Sequence, residues 1–184
     1  MRGKGYDVGK ERGAMLEQWK NRLIAKLFTQ FPSLARRAAA KVPPLKFDET
    51  PFTPLIKPLA QCRLALVTTA GIHLRTEMPF DMADSTGDPT FRVVPESAAR
   101  EQVMITHNYY DHKDADQDLN IVFPLDRLRE LVAGGRLGSL AARHYGFMGH
   151  VQENHFPRFV NEEIPRAAAL MTQDKVDVAL ITPG

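Results

Sequence analysis

Six histidines are spread through the chain, and their neighbours decide what they can do. The run His107-Asn108-Tyr109-Tyr110-Asp111-His112 sets two imidazoles and a carboxylate close together, and His73 ends the stretch Ala70-Gly71-Ile72-His73. Imidazole changes charge near neutral pH, so such groups can shuttle protons, with Asp111 orienting one ring. His73, His107, Asp111 and His112 are therefore the candidate catalytic residues, and Glu77 is a weaker one. Loop histidines held by ordinary hydrogen bonds are the alternative, and spacing alone leaves both open. A His/Asp metal site is conceivable, but no His pair at i, i+4 on a helix fixes a ligand geometry. His144 and His150, in Arg143-His144-Tyr145-Gly146-Phe147-Met148-Gly149-His150, read equally well as packing residues.

Three other motifs fail on chemistry. Asp114-Ala115-Asp116-Gln117-Asp118 has the opening spacing of a calcium loop, but Leu119 and Leu125 stand where glycine and glutamate are needed. That run reads as a solvated loop. Gly134-Gly135-Arg136-Leu137-Gly138 follows a helical stretch and matches no nucleotide-binding fingerprint. Gly135 is expected to end that helix in a left-handed conformation. Ser139 lacks the flanking glycines of a nucleophile elbow. The single cysteine, Cys62, has no CxxC partner and no helix start beside it, so it reads as an inert thiol.

These residues need a scaffold, and apolar periodicity supplies one. Residues 63–69 form a near-continuous apolar run, the pattern of a strand buried on both faces of a parallel sheet. Further strands are predicted at 91–94, 103–106 and 176–182, with helices from about 124 to 134 and from 161 to 172. Strands alternating with helices predict an α/β domain with a largely parallel open sheet flanked by helices. In such sheets functional groups collect beyond the carboxyl ends of the strands. His73, following residues 63–69, and the run 107–112, following 103–106, are then expected to line one crevice. The last strand, 176–182, runs into Pro183-Gly184 with no covering helix, so the domain reads either as C-terminally incomplete or as ending on a legitimate terminal edge strand, and this feature alone leaves both open.

The first 50 residues differ from the rest. They hold 11 Lys and Arg against 5 Asp and Glu, whereas residues 51–184 hold 13 against 17. Apolar residues at helical spacing over 14–28 and a second short segment at 33–41 predict a basic helical leader, 1–50, ahead of the α/β domain, 51–184. Five prolines between 43 and 58 predict an extended connector. The charge is compatible with an anionic partner or a solvated helix face. No nucleic-acid-binding motif accompanies it, so no nucleic-acid partner is expected. The longest apolar runs fall well short of the ~20 residues of a membrane span. With no secretory signal pattern and one cysteine, the cytoplasm is the expected location.

Taken together, several stretches resemble the selenoprotein B family of glycine/sarcosine/betaine reductases and D-proline reductase. They are Leu66-Val67-Thr68-Thr69-Ala70-Gly71-Ile72-His73, Asp88-Pro89-Thr90-Phe91-Arg92, Thr106-His107-Asn108-Tyr109-Tyr110-Asp111, the 135–138 and 143–150 segments, and Ala179-Leu180-Ile181-Thr182-Pro183-Gly184. The resemblance covers roughly residues 50–184 and looks closest to the short D-proline-reductase-type subunit. It implies reductive cleavage of a C–N bond in an amino acid or small amine. It also implies a selenocysteine, sometimes a cysteine, just after the terminal strand, with a cysteine a few residues beyond. A partner subunit with a pyruvoyl group is implied to hold the substrate amine, and a dithiol or thioredoxin-like reductant to reopen the selenide-sulfide bond.

The chain ends at Gly184, just before that reactive position. UGA encodes selenocysteine but is otherwise read as stop, so the expectation is a longer selenoprotein cut at that codon, with the 184-residue chain inactive alone. A second reading, from a different class, is a non-catalytic binding or assembly protein working through its basic amphipathic helix.

Overall fold

The computed structural model describes residues 8–40, 53–152 and 154–184. The scaffold is built around β1 (Arg63–Thr68), whose apolar run is buried from Leu64 onward. Its residues alternate between two cores. Leu64 and Leu66 face one that includes Val94, Leu128 and Leu137, while Ala65 and Val67 face another with Tyr145, Phe147 and Ala167. Full burial of a side chain such as Leu66 contributes ~1.5–3 kcal/mol. This two-sided burial is what the unbroken apolar run implied.

One edge of β1 is occupied along its length by β7 (Val178–Thr182), parallel and in register from Leu64↔Val178 to Thr68↔Thr182. The other edge is shared by two short parallel strands. β5 (Ser139–Leu140) meets its start and β6 (Arg143–Gly146) its end. At the break between them the Leu66 amide donates instead to Nδ1 of His144, at 3.0 Å. β3 (Arg92–Pro95) adds to β6 antiparallel. The result is a mixed, mostly parallel sheet with flanking helices, the α/β class expected.

Several details depart from the sequence reading. The strand predicted at 103–106 is not in the main sheet. As β4 (Val103–Ile105) it pairs antiparallel with β2 (Ile72–Leu74) in a separate two-stranded ribbon. β6 gave no strand signal, because His144 and Tyr145 fill the buried places where aliphatics are usual. The acidic run read as a loop forms a short helix, α3 (Lys113–Gln117), anchored by buried Ala115.

The helix predicted from 124 is α4 (Leu125–Ala133), which buries Leu125 and Leu128. It stops as expected, with Gly135 at φ 67°. The helix predicted from 161 starts earlier. α5 (His155–Arg158) passes through a wide π turn, Phe159–Glu163, into α6 (Ile164–Gln173). Pro165 has no N–H for the residue 161 carbonyl, and a wide turn just before it relieves the clash.

The leader forms α1 (Val8–Gln30) and α2 (Pro32–Ala39), the latter opening on a proline that needs no amide partner there. Residues 43–52 of the predicted connector lie outside the described residues, and 53–58 have no regular structure. Among the described residues no helix is long and apolar enough to cross a membrane.

Candidate functional site at the carboxyl edge of the sheet

The carboxyl ends of β1, β6 and β7 converge, as parallel strands require. Beyond β1, the Gly71 amide donates to the Phe147 carbonyl at 2.8 Å and its carbonyl accepts from the Thr106 amide at 2.9 Å. These two bonds tie the loops after β1, β6 and β4 together. Beyond β7, the Gly184 amide donates to Thr69 Oγ1 at 3.2 Å. Gly184 packs so closely on Ala70 that a Cβ built there would lie 2.3 Å from the Ala70 Cα. Only glycine fits. The Ala70 carbonyl in turn accepts the Tyr110 hydroxyl at 3.2 Å.

Tyr110 leads to His107, whose ring packs edge-on against both tyrosines, with centroids 4.7 Å away from Tyr110 and 5.8 Å from Tyr109. The Tyr109 amide donates to His107 Nδ1 at 3.1 Å. A ring nitrogen that accepts has no proton, so the hydrogen sits on Nε2. That Nε2 is buried with no hydrogen-bond partner among the described residues. Burial, reinforced by His112 and His150, pulls the His107 pKa down to about 4. His107 is therefore a neutral N–H donor at pH 7, not a reservoir of protons.

The other candidates differ in kind. His112 is part-exposed and its Nδ1 lies 2.8 Å from the Asp116 carboxylate, which orients the ring. Asp111 sits 3.9 Å from Lys113 Nζ. His107, Asp111 and His112 share one cavity of about 430 Å³, closed on its far side by Trp19, Arg22 and Lys26 of α1. Arg22 Nε holds the helix there by donating to Asn108 Oδ1 at 3.1 Å.

His73 lies elsewhere. Its Nδ1 donates to the Leu74 carbonyl at 2.7 Å and its Nε2 accepts from Thr106 Oγ1 at 2.8 Å, so both ring nitrogens are engaged. Burial, foremost, lowers its pKa. In this position it braces the ribbon that carries the His107 loop. Glu77 accepts from the Leu74 amide at 3.3 Å and lines a different cavity, about 680 Å³, with Asp84, Asp88 and Arg92. The crevice thus brings together three of the five candidates.

Several site residues escaped the sequence reading. Tyr110 was visible in its motif, but its bond to Ala70 spans 40 residues. His150 stacks on Tyr109 at 3.7 Å, a contact between two loops with no signal in either alone. Arg22 meets Asn108 across 86 residues. The basic spacing of the leader pointed to a charged face but not to this one. Among the described residues no group of three or more His, Cys, Asp or Glu side chains is placed to hold a metal ion. Cys62 is fully buried before β1, its thiol 3.4 Å from the Pro58 carbonyl.

Comparison with known proteins supplies the relationship. The chain is 36% identical over 133 residues to the D-proline reductase subunit gamma of Acetoanaerobium sticklandii, covering 72% of this chain and 53% of that protein. It is 30% identical over 151 residues to the glycine reductase complex component B subunit gamma of Carboxydothermus hydrogenoformans, covering 80% and 32%. A third relative, 29% identical over 102 residues, is the sarcosine reductase complex component B subunit beta of Peptoclostridium acidaminophilum, covering 52% and 22%. The chain thus spans about half, or less, of the length of these relatives. No solved structure matches it. The model of the glycine/sarcosine/betaine reductase selenoprotein B family matches residues 35–184, so the chain belongs to that family.

Proposed function

We propose that this chain is part of a subunit of an amino-acid reductase, contributing the sheet and one wall of the crevice in which a C–N bond is cleaved. D-proline and glycine derivatives are the substrate class. The chemistry is displacement of the amine nitrogen by a selenolate or thiolate expected just beyond Gly184, which bonds to the substrate carbon. The cysteine expected a few residues further on then attacks that selenium or sulfur, and the carbon leaves with a proton. The resulting selenide-sulfide or disulfide is reduced by two electrons from a dithiol or thioredoxin-like protein. A pyruvoyl-bearing partner subunit would hold the substrate amine. As the C–N bond breaks, its electron pair goes to nitrogen, which must take a proton. His112, oriented by Asp116 and open to water, is the group suited to give it. His107 offers a neutral donor to a substrate oxygen, Asp111 balances the adjoining Lys113, and His73 positions the loop.

One observation carries this reading: the Gly184 amide is seated on Thr69, beside the Ala70 carbonyl that Tyr110 grips. A side chain following Gly184 would emerge at the edge where His107 and His112 lie. The exposed apolar face of α1, with Leu16 and Leu23 in solvent, favours the leader as a surface that meets a partner subunit. The test is to express the gene with and without translation past Gly184, mix each product with a pyruvoyl-type subunit and dithiol, and follow amine reduction. Turnover is expected only with the extension. Equal turnover without it overturns the proposal.

A further inference from the structure

The cavity under α1 is charged in one sense. Of its carboxylates, Asp116 is paired with His112 and Asp111 faces Lys113. Among the described residues, Arg22 is bonded to a neutral amide oxygen alone and Lys26 has no ion pair. The excess is cationic. The same cavity is lined by His107, which is 95% buried and keeps an Nε2–H without an acceptor among the described residues. Burying an unsatisfied donor is costly, and such a donor in a native site calls for an acceptor the structure does not itself supply. Trp19, Leu23 and Tyr110 give the remaining wall an apolar character.

We infer that this cavity binds a small monocarboxylate with a compact apolar body, its carboxylate accepting from His107 Nε2–H and facing Arg22 and Lys26, its body against Trp19 and Tyr110. The inference deepens the reading of this edge as the reaction site by assigning the place of the acid group, and it makes the leader helix part of the binding site. A neutral imidazole suits the task, because the donor stays neutral and protonated at Nε2 over the physiological range. Charge-assisted hydrogen bonds of this kind are among the stronger ones.

Trp19 is the only tryptophan in the chain, so its emission reports on this cavity without interference. The 184-residue chain is titrated with cyclopentanecarboxylate at fixed ionic strength, with cyclopentanecarboxamide and inorganic phosphate in parallel. A saturable change with the carboxylate is expected, with little response to the carboxamide. His107→Phe should weaken binding by about ten-fold, and His107→Gln, which retains an N–H donor, by less. If circular dichroism shows His107→Phe unfolded, Lys26→Met on the exposed helix surface takes its place and should weaken binding about three-fold or more. No saturable response, an equal response to the carboxamide, stronger binding of phosphate, or unchanged affinity in the folded variants overturns the inference. Binding without turnover by the extended protein removes the reaction reading and leaves this one. Turnover without binding does the reverse.

Discussion

His144 Nδ1 lies 3.0 Å from the amide nitrogen of Leu66 and takes the hydrogen bond that a strand backbone would otherwise accept. β5 and β6 leave a gap opposite the middle of β1, and a side chain closes it. Nδ1 accepts, so Nε2 carries the proton, and it too is buried without a partner among the described residues. The ring is fully buried and packs edge-on near Phe123. Replacing His144 by Leu should orphan the Leu66 amide and cost ~1–3 kcal/mol, read as a lower urea midpoint at pH 7.5 with an unchanged slope. A neutral substitution would mean that the gap is not held by this bond.

The same burial makes the protein acid-sensitive. His107 and His144 both have pKa values pulled from 6.5 to about 4, by burial first. The unfolded chain therefore binds protons that the folded chain refuses. Their contribution to stability is intact above pH 6.5, is lost progressively as pH falls towards 4, and is flat below that. A pKa moved from 6.5 to about 4 corresponds to ~3 kcal/mol for each ring at full titration. Urea unfolding at pH 7.5, 5.5 and 4.5 should give falling stability, less steeply for a folded His144→Leu variant. A flat profile across this window would refute the assignment of neutral rings.

Glu163, at the end of the π turn, is buried but held by two arginines that reach in from solvent. Arg158 lies 3.0 Å and Arg166 2.8 Å from its two oxygens. Removing both cations strands a carboxylate away from water. Arg158→Met with Arg166→Met is expected to destabilise by ~3–5 kcal/mol, whereas adding Glu163→Met to the pair should recover most of that loss. Thermal melts of the double and triple variants decide it, and failure of the third change to recover stability would show that the charge is not the cause.

β7 is the other exposed cost. On the side away from β1 no described strand pairs with it, and Ile181 is 68% exposed. Bare apolar strand edges promote association. Ile181→Lys should shift sedimentation of the isolated chain towards monomer without lowering its unfolding free energy by more than ~1 kcal/mol. Unchanged association would place the sticky surface elsewhere, with α1 the next to test.

What the sequence disclosed follows from what patterns can carry. Residues 63–68 announced a strand buried on both faces because alternation is lost when both faces are covered. Gly135 announced the end of α4 because positive φ has few other solutions. The ribbon of β2 and β4 was hidden, since three-residue strands leave no period to read. β6 was hidden because its buried places are polar-aromatic. Within the site, the run 107–112 held three groups that do share a cavity, for proximity in sequence kept them together. His73 carries the same residue type and follows β1 closely, yet its two nitrogens are spent on Leu74 and Thr106. Spacing records type and order but not whether an imidazole has lone pairs or protons left over.

The partners of β1 arrive on the ribosome in an awkward order. The strand is made early, but the residues that cover its β7 edge follow 114 positions later. At cellular synthesis rates, that is an interval of roughly 6–23 s during which a hydrophobic edge emerges unpaired. Long-range parallel pairing is also slow once the chain is complete. Nascent copies therefore have time to find one another or a holdase before they find β7, and expression at lower temperature with chaperones in excess should raise the yield of native protein.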